Sequence, residues 1–333
     1  MNYSPEISAK AQRIIDERRT KAKYQLEMRR REVYKNAPEA EEVERQAASA
    51  VTELSKLIVS RRGDFQNSFE RIKQNNLDAQ KYMREILASH GYPEDYLQIQ
   101  YTCPQCKDKG YGEDGKRCHC FEELASKLSI EELNRSANMP DCDFEHFDIE
   151  YYPKTVDSNG VVPYEKMRDV LLYCRKYAAN FSRASESLLM LGKTGVGKTH
   201  LSISIAKTVT ANGFICAYGS VLNFLYDIEK EHFGRGEQGK DTMSALLDAD
   251  LLVLDDLGTE NYTQFYESVL YNIINTRINT GKPTIVSTNL STKELYDKYN
   301  ERIISRIFGV YTILRFYGKD IRQEKRLRGD ISG

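Results

Sequence analysis

Gly192-Lys193-Thr194-Gly195-Val196-Gly197-Lys198-Thr199 decides how the rest of the chain is read. The octapeptide matches G-x-x-x-x-G-K-[ST] at every constrained position. An apolar run, 187–191 (SLLML), precedes it, and a stretch of helical spacing (HLSISIAKTVTAN) follows from His200. Glycines let such a loop curl until successive backbone N–H groups point inward at phosphate oxygens. The N-terminus of the following helix adds positive potential at the same place. In this arrangement Lys198 reaches the β- and γ-phosphates of a nucleoside triphosphate, and the Thr199 hydroxyl ligates Mg²⁺. The loop residues Gly192 to Thr199, with His200 beside them, are therefore the expected ATP-binding segment. A chance glycine-rich turn does not account for the strand before it and the helix after it.

Working outward, short apolar runs alternate with helical segments from 187 to the end. The further runs are 214–218 (FICAY), 251–255 (LLVLD), 283–288 (PTIVST) and 310–316 (VYTILRF). Strands separated by helices predict an α/β domain built on a parallel sheet flanked by helices. In such sheets ligands bind at the carboxyl ends of the strands. Leu251–Leu254 leads into Asp255 and Asp256, a buried strand delivering two carboxylates to that edge. Asp255 is placed to hold the Mg²⁺ shell, and Asp256 to orient or deprotonate the attacking water. Asn289, at the tip of another strand, can position the same water. Read alone, an Asn at a strand end is turn chemistry.

Composition sets limits on everything else. The 333 residues carry 48 Lys and Arg against 49 Asp and Glu, a net charge of -1. This excludes a generally basic nucleic-acid coat and an acidic solvating tail. Mean hydropathy is -0.59, and no apolar run reaches the roughly 18 residues of a membrane helix. The first residues lack the apolar region of a secretion signal. The expectation is a cytoplasmic protein with no membrane partner.

Residues 1–90 are poor in Gly and rich in Glu, Lys, Arg and Ala. Apolar positions (Ile14, Ile15, Val33, Val43, Val51, Leu54, Leu57, Ile58) recur at helical spacing, and Pro38 divides the stretch into at least two helices. Such an arm buries little of its own and suits a partner protein. Residues 91–138 contain Cys103-Pro-Gln-Cys106 and Cys118-His119-Cys120, four of the chain's seven cysteines. Zn²⁺ takes four S or N ligands tetrahedrally, and C-x-x-C is the usual knuckle. Cys103, Cys106, Cys118 and Cys120 form the expected set, with His119 as the alternative fourth ligand. Four protein ligands leave no open position, so the site reads as structural. Cys142, Cys174 and Cys216 stand singly and read as small core residues. Residues 139–186 are a linker and lead-in helix, and 187–333 the nucleotide-binding domain.

GKTGVGKTHL, LLVLDDLG, STN and ERIISRI, in this order and spacing, resemble the AAA+ ATPases of the DnaC/DnaI helicase-loader group, with the IstB-type transposition helpers as near relatives. The resemblance covers roughly residues 140 to 328, and the cysteine segment is similar to the zinc module of many loaders. It implies an AAA+ P-loop domain that hydrolyses ATP slowly and binds a replicative DnaB-type helicase and single-stranded DNA. Position by position, Asn289 matches the sensor 1 residue. Arg306 matches the arginine finger, which reaches a neighbouring subunit's nucleotide on self-association. Arg302 could support the same face, and Arg322 matches sensor 2. The family carries an extra helix at 220–248, where Phe224, Tyr226, Lys230, His232, Phe233 and Arg235 could meet DNA; core packing is the plain alternative for Phe224. The glycine-rich 234–239 reads as a mobile loop.

Overall fold

A computed structural model describes residues 3–60, 65–136, 142–157, 160–236, 240–261 and 263–328, and for 50–60 and 65–69 the backbone alone. Val51, Leu54, Leu57 and Ile58 thus lie outside the described side chains, and the expected loop 234–239 is described only as far as Gly236. The described residues form two compact units, Gln12–Phe121 and a second made of Met1–Ala11 with Glu122–Gly333.

In the unit Gln12–Phe121, three helices follow one another: α1 (Pro5–Asn36, entering from the other unit), α2 (Pro38–Ser60) and α3 (Phe65–Ser89). Pro38 opens α2 at a first-turn position, where its missing N–H costs nothing. Val33, Ala37, Ala40 and Val43 pack on Ile86 and Leu87. The cysteine segment belongs to this same unit, so the arm and the cysteine segment, distinct in composition, pack together.

The larger unit is built on five parallel strands: β1 (Leu188–Leu191), β2 (Cys216–Ser220), β3 (Leu251–Leu257), β4 (Thr284–Thr288) and β5 (Thr312–Arg315). Their order is β2-β3-β4-β1-β5. This is the expected α/β class, a parallel sheet flanked by helices. Side chains alternate across it, as the pleat requires. Leu188, Met190, Val253 and Ile285 face α5 (Pro163–Ala179) and α6 (Lys198–Ala211). Leu189, Leu252, Leu254 and Val286 face α7 (Val221–His232), α8 (Thr242–Asp248), α9 (Gln264–Asn279) and, beyond a short α10 (Thr292–Lys298), α11 (Glu301–Val310). Cys174 and Cys216 are core residues, as expected. Cys142 is only half-buried and lies in the wall of a cavity. The helix α4 (His119–Ser136) sends Asn134 to the open edge of β2, where its amide donates to Cys216 O at 2.7 Å and accepts from Tyr218 N at 2.9 Å.

Arg277 on α9 is fully buried. It donates to Leu246 O at 2.8 Å, Ala249 O at 2.9 Å, Pro283 O at 2.6 Å and the Thr284 hydroxyl at 2.9 Å. Burial pushes its pKa down to about 10, yet the guanidinium satisfies the carbonyls left open at the end of α8. Arg277→Met should lower the unfolding free energy by about 3 kcal/mol, because several buried carbonyls lose their donor together. Urea unfolding of variant and parent measures this, and coincident curves would contradict it.

Candidate nucleotide site and cysteine cluster

At the end of β1 the chain turns through Gly192–Gly197 into α6. Gly197 has φ 91°, a left-handed conformation that a side chain disfavours. A Cβ there would also lie 2.7 Å from the Phe147 ring and 2.8 Å from the Tyr152 hydroxyl. The same hydroxyl donates to Val196 O at 3.0 Å and braces the loop from outside.

Lys198 is 4% exposed. Its ammonium donates to Gly192 O at 2.6 Å, Lys193 O at 2.7 Å and Asn289 Oδ1 at 2.7 Å. The Asn289 amide nitrogen donates in turn to Asp256 Oδ1 at 3.1 Å. Each end of the amide thus meets the charge that suits it, and three expected site residues form one chain. Burial lowers the Lys198 pKa to about 8, against the pull of Asp256 and Asp255.

Asp255 is buried and faces three hydroxyls. Thr199 Oγ1 donates to it at 2.9 Å and Tyr218 OH at 3.2 Å, and Ser287 Oγ donates as well. Burial raises its pKa, and the hydroxyls pull it back. A buried carboxylate beside a threonine hydroxyl, with hydroxyls for partners, is an oxygen donor set that fits Mg²⁺. β3 runs two residues past its expected end, and its register against β4 shifts between Leu254 and Leu257. Within that irregularity Asp256 takes φ 56°. For a residue other than glycine this conformation costs about 1–3 kcal/mol and persists only where the surroundings hold it.

A cavity of about 380 Å³ opens beside the loop, of a size that holds a nucleotide-sized ligand. Thr194, Gly195, Gly197, Lys198, Thr199 and His200 form one wall. Phe147 and Tyr152, with ring centroids 5.8 Å apart, form another and offer an apolar surface to a base. The third comes from α12 (Ile321–Arg328), through Ile321, Arg322 and Lys325. Lys325 Nζ stands 5.2 Å from the centroid of Tyr151 across the opening. His200 donates from Nε2 to Asp143 O at 2.6 Å, and burial lowers its pKa.

The structure therefore brings the phosphate loop, Asp256, Asn289 and Arg322 to one cavity, with Asp255 behind Thr199. Lys193 borders an adjoining hollow with Asn289 and Lys319. Val196 is buried beneath the loop. Arg306 does not line the cavity. It lies on α11, where Nε donates to Asn275 Oδ1 at 2.8 Å and the guanidinium stands 4.9 Å from the Tyr271 ring centroid. Arg302, on the same helix, offers its carbonyl to Arg306 Nη1 at 3.4 Å. Phe224 is a core residue, whereas Tyr226 and Phe233 are exposed and Lys230 Nζ sits 4.2 Å from the Tyr226 centroid. Tyr218, Ser287, Phe147, Tyr152 and Lys325 were not foreseen as site residues. Phe144, Phe147, Tyr151 and Tyr152 cluster in the sequence, but nothing local says that Phe147 and Tyr152 face a loop some fifty residues on.

In the cysteine segment, the sulfurs of Cys103, Cys106, Cys118 and Cys120 all lie within 4.8 Å of one another. Cys103 and Cys118 are 3.8 Å apart, and Cys106 and Cys120 3.5 Å. A tetrahedron of Zn–S bonds of about 2.3 Å has edges of about 3.8 Å, so the four sulfurs fit Zn²⁺. His119 stands outside this set, with Nδ1 3.4 Å from Cys118 Sγ. Lys107 and Asp108, at φ 52° and 49°, form the left-handed turn after the first pair. Asp108 is buried, and its carboxylate accepts from Thr102 N at 2.9 Å and Cys103 N at 2.8 Å. In sequence it reads as a surface charge, but it organises the knuckle.

Residues 174–309 match the model of the IstB-like ATP binding protein family. The replicative helicase loader DnaC of Buchnera aphidicola (subspecies Baizongia pistaciae) is 24% identical over 188 residues, 56% of this chain and 69% of the relative. A Mycobacterium tuberculosis protein named for ATP binding in an insertion sequence is 26% identical over 215 residues, 62% of this chain and 79% of its own. Among solved structures, a crystal structure of the DnaC helicase loader aligns with TM-score 0.44 and 24% identity, covering 54% of this chain and 99% of that one. The phosphate loop and the acid pair thus lie within the segment of this chain that is similar to the IstB-like ATP binding proteins.

Proposed function

We propose that this protein is an ATP-hydrolysing loader that delivers a replicative DnaB-type helicase to single-stranded DNA. The observation that carries the reading is the Lys198–Asn289–Asp256 chain, with Thr199 and Asp255 beside it. A kinase acting on a small molecule has no use for an amide that links the phosphate-loop lysine to a second acid. Bound Mg²⁺ would neutralise charge on the β- and γ-phosphates, held by Thr199 and Asp255. Lys198 would trade its loop carbonyls for phosphate oxygens, and Asp256 and Asn289 would orient the attacking water. Arg322 would meet the phosphates from α12, its forked and permanent charge suited to them. Arg306, which is not among the residues lining its own cavity, would serve a neighbouring molecule's. The helical arm and cysteine module would meet the helicase, and Tyr226, Lys230 and Phe233 offer stacking and charge to single-stranded DNA.

The test is to mix the full chain with its cognate helicase, with and without Mg–ATP, and to measure the complex mass. Absence of a complex in every condition would refute the loader reading. The IstB-like family match supports a second reading, a transposition helper that binds duplex DNA. ATP-dependent coating of duplex DNA in preference to single strands, together with no helicase complex, would favour it.

ATP affinity should depend on pH through Lys198. Its pKa in the empty site is about 8, and phosphate raises it by favouring the charged form. Binding therefore takes up a proton above that pH. Affinity should be flat below it and fall by up to about tenfold per pH unit above it. Equilibrium titration with Mg–ATP between roughly pH 7 and 9.5 measures this, and a flat profile would contradict it.

A further inference from the structure

Glu260 is a buried carboxylate that the site described above leaves without a role; it is 3% exposed. It lies four residues past Asp256 in the turn that leaves β3. Its carboxylate accepts from Gly258 N at 3.0 Å and from the buried Tyr299 hydroxyl. The neighbouring Lys298 ammonium donates to Gly258 O at 2.5 Å and Glu260 O at 2.9 Å. Three bonds thus tie the turn to the corner between α10 and α11, and the Gly258–Glu260 bond closes the turn on itself. Gly258 has φ 111°, and a Cβ there would lie 2.6 Å from Leu290, the residue after Asn289. The Thr288 hydroxyl closes the other side by donating to Leu257 O at 2.6 Å.

Asp256 stands in a left-handed conformation that only an over-determined setting maintains. Its own backbone supplies part of that setting, since Asp256 N donates to Ser287 Oγ at 3.0 Å and the Thr259 hydroxyl donates to Asp256 O at 2.9 Å. The remainder of the turn is held from Glu260. The same carboxylate reaches, through Tyr299, the two-residue junction before α11, and Arg302 and Arg306 follow on that helix.

We propose that Glu260 is a positioning residue for ATP hydrolysis. It fixes the strained turn that aims Asp256 at Asn289, and it joins that turn to the corner from which the arginine-bearing helix departs. The inference rests on the hydrolysis reading above. A displacement of α11 by a neighbouring molecule is then felt at Asp256 through Tyr299 and Glu260, with no residue of the clamp touching nucleotide.

The experiment measures Mg–ATP affinity and turnover for the full chain with single-stranded DNA, for the parent, Glu260→Ala, Glu260→Gln and Tyr299→Phe. Glu260→Ala should lower turnover at least about tenfold while affinity changes less than about threefold. Glu260→Gln, which can still accept from Gly258 N and bond the Tyr299 hydroxyl, should recover most of the loss. Tyr299→Phe keeps the ring and should fall between the two. If Glu260→Ala does not fold, Tyr299→Phe and Glu260→Gln carry the comparison. Parental turnover in both of those variants, or affinity and turnover falling together, overturns the positioning role and leaves the hydrolysis reading standing. A parent without turnover overturns both.

Discussion

Replacing Lys198 with alanine should abolish measurable ATP turnover, a loss of at least about 10³-fold, and weaken Mg–ATP binding as well. The magnitude follows from what the ammonium faces. Removing a single preorganised donor to developing charge costs about 10²–10³-fold, and here the donor carries a full charge in a buried site. In the empty site three oxygens already surround it, those of Gly192, Lys193 and Asn289. Truncation leaves all three without that donor and frees the Asn289 amide that also bonds Asp256. One change thus removes the phosphate contact and loosens the amide beside the second acid. Lys198→Arg should not rescue, because a planar fork cannot occupy the pocket of a compact ammonium between two backbone carbonyls. Steady-state turnover and fluorescent-nucleotide titration of the full chain check both statements. Turnover within about tenfold of the parent in Lys198→Ala would remove the phosphate loop from the chemistry.

The second large effect concerns metal. The purified chain should carry one Zn²⁺, and its removal should unfold the segment between Cys103 and Cys120. Of that segment, Cys103, Cys106 and Cys118 make up the buried cluster, with Cys120 packed beside them, so the sulfurs themselves are its core. Without metal, four thiols and the left-handed turn at Lys107 and Asp108 have little to hold them together. Structural zinc contributes an apparent binding free energy of about 10–16 kcal/mol at neutral pH, far above the worth of any hydrogen bond in the segment. Metal analysis gives the stoichiometry, and hydrogen exchange over residues 101–121 before and after chelation reads the unfolding. Cys103→Ser should reproduce the chelated state, whereas His119→Ala should keep its zinc. A metal-free chain with full protection of that segment would defeat this expectation.

Much of the domain was legible without a structure because its signals are local. A phosphate loop needs glycines and a lysine within eight residues, a buried strand needs a short apolar run, and a zinc knuckle needs paired cysteines. Hence Lys198, Thr199 and Asp255 are named directly, as is the cysteine cluster, with His119 left as the alternative fourth ligand. Asn289 was weaker, since an amide at a strand end is ordinary turn chemistry, and its value appears only where β4 lies beside β3 and β1. The nucleotide cavity's aromatic wall was unreadable for the same reason: Phe147 and Tyr152 meet Gly197 across some fifty residues of chain. Glu260 and Asp108 are lone acids in the sequence, where solvation is the ordinary fate, and only the fold brings their backbone and hydroxyl donors to them.

Local pattern thus gives the α/β class, the phosphate-loop motif and a candidate cysteine set with His119 as the alternative fourth ligand, because each depends on residues that are neighbours in the chain. Tertiary structure alone decides that Asn289 joins Lys198 to Asp256, that Arg306 bonds Asn275 on α9 rather than lining the cavity, and that α12 lines the pocket with Arg322 and Lys325. These depend on the order in which five parallel strands lie side by side. A parallel sheet places distant segments together at one edge, and no short-range pattern records which of them will meet.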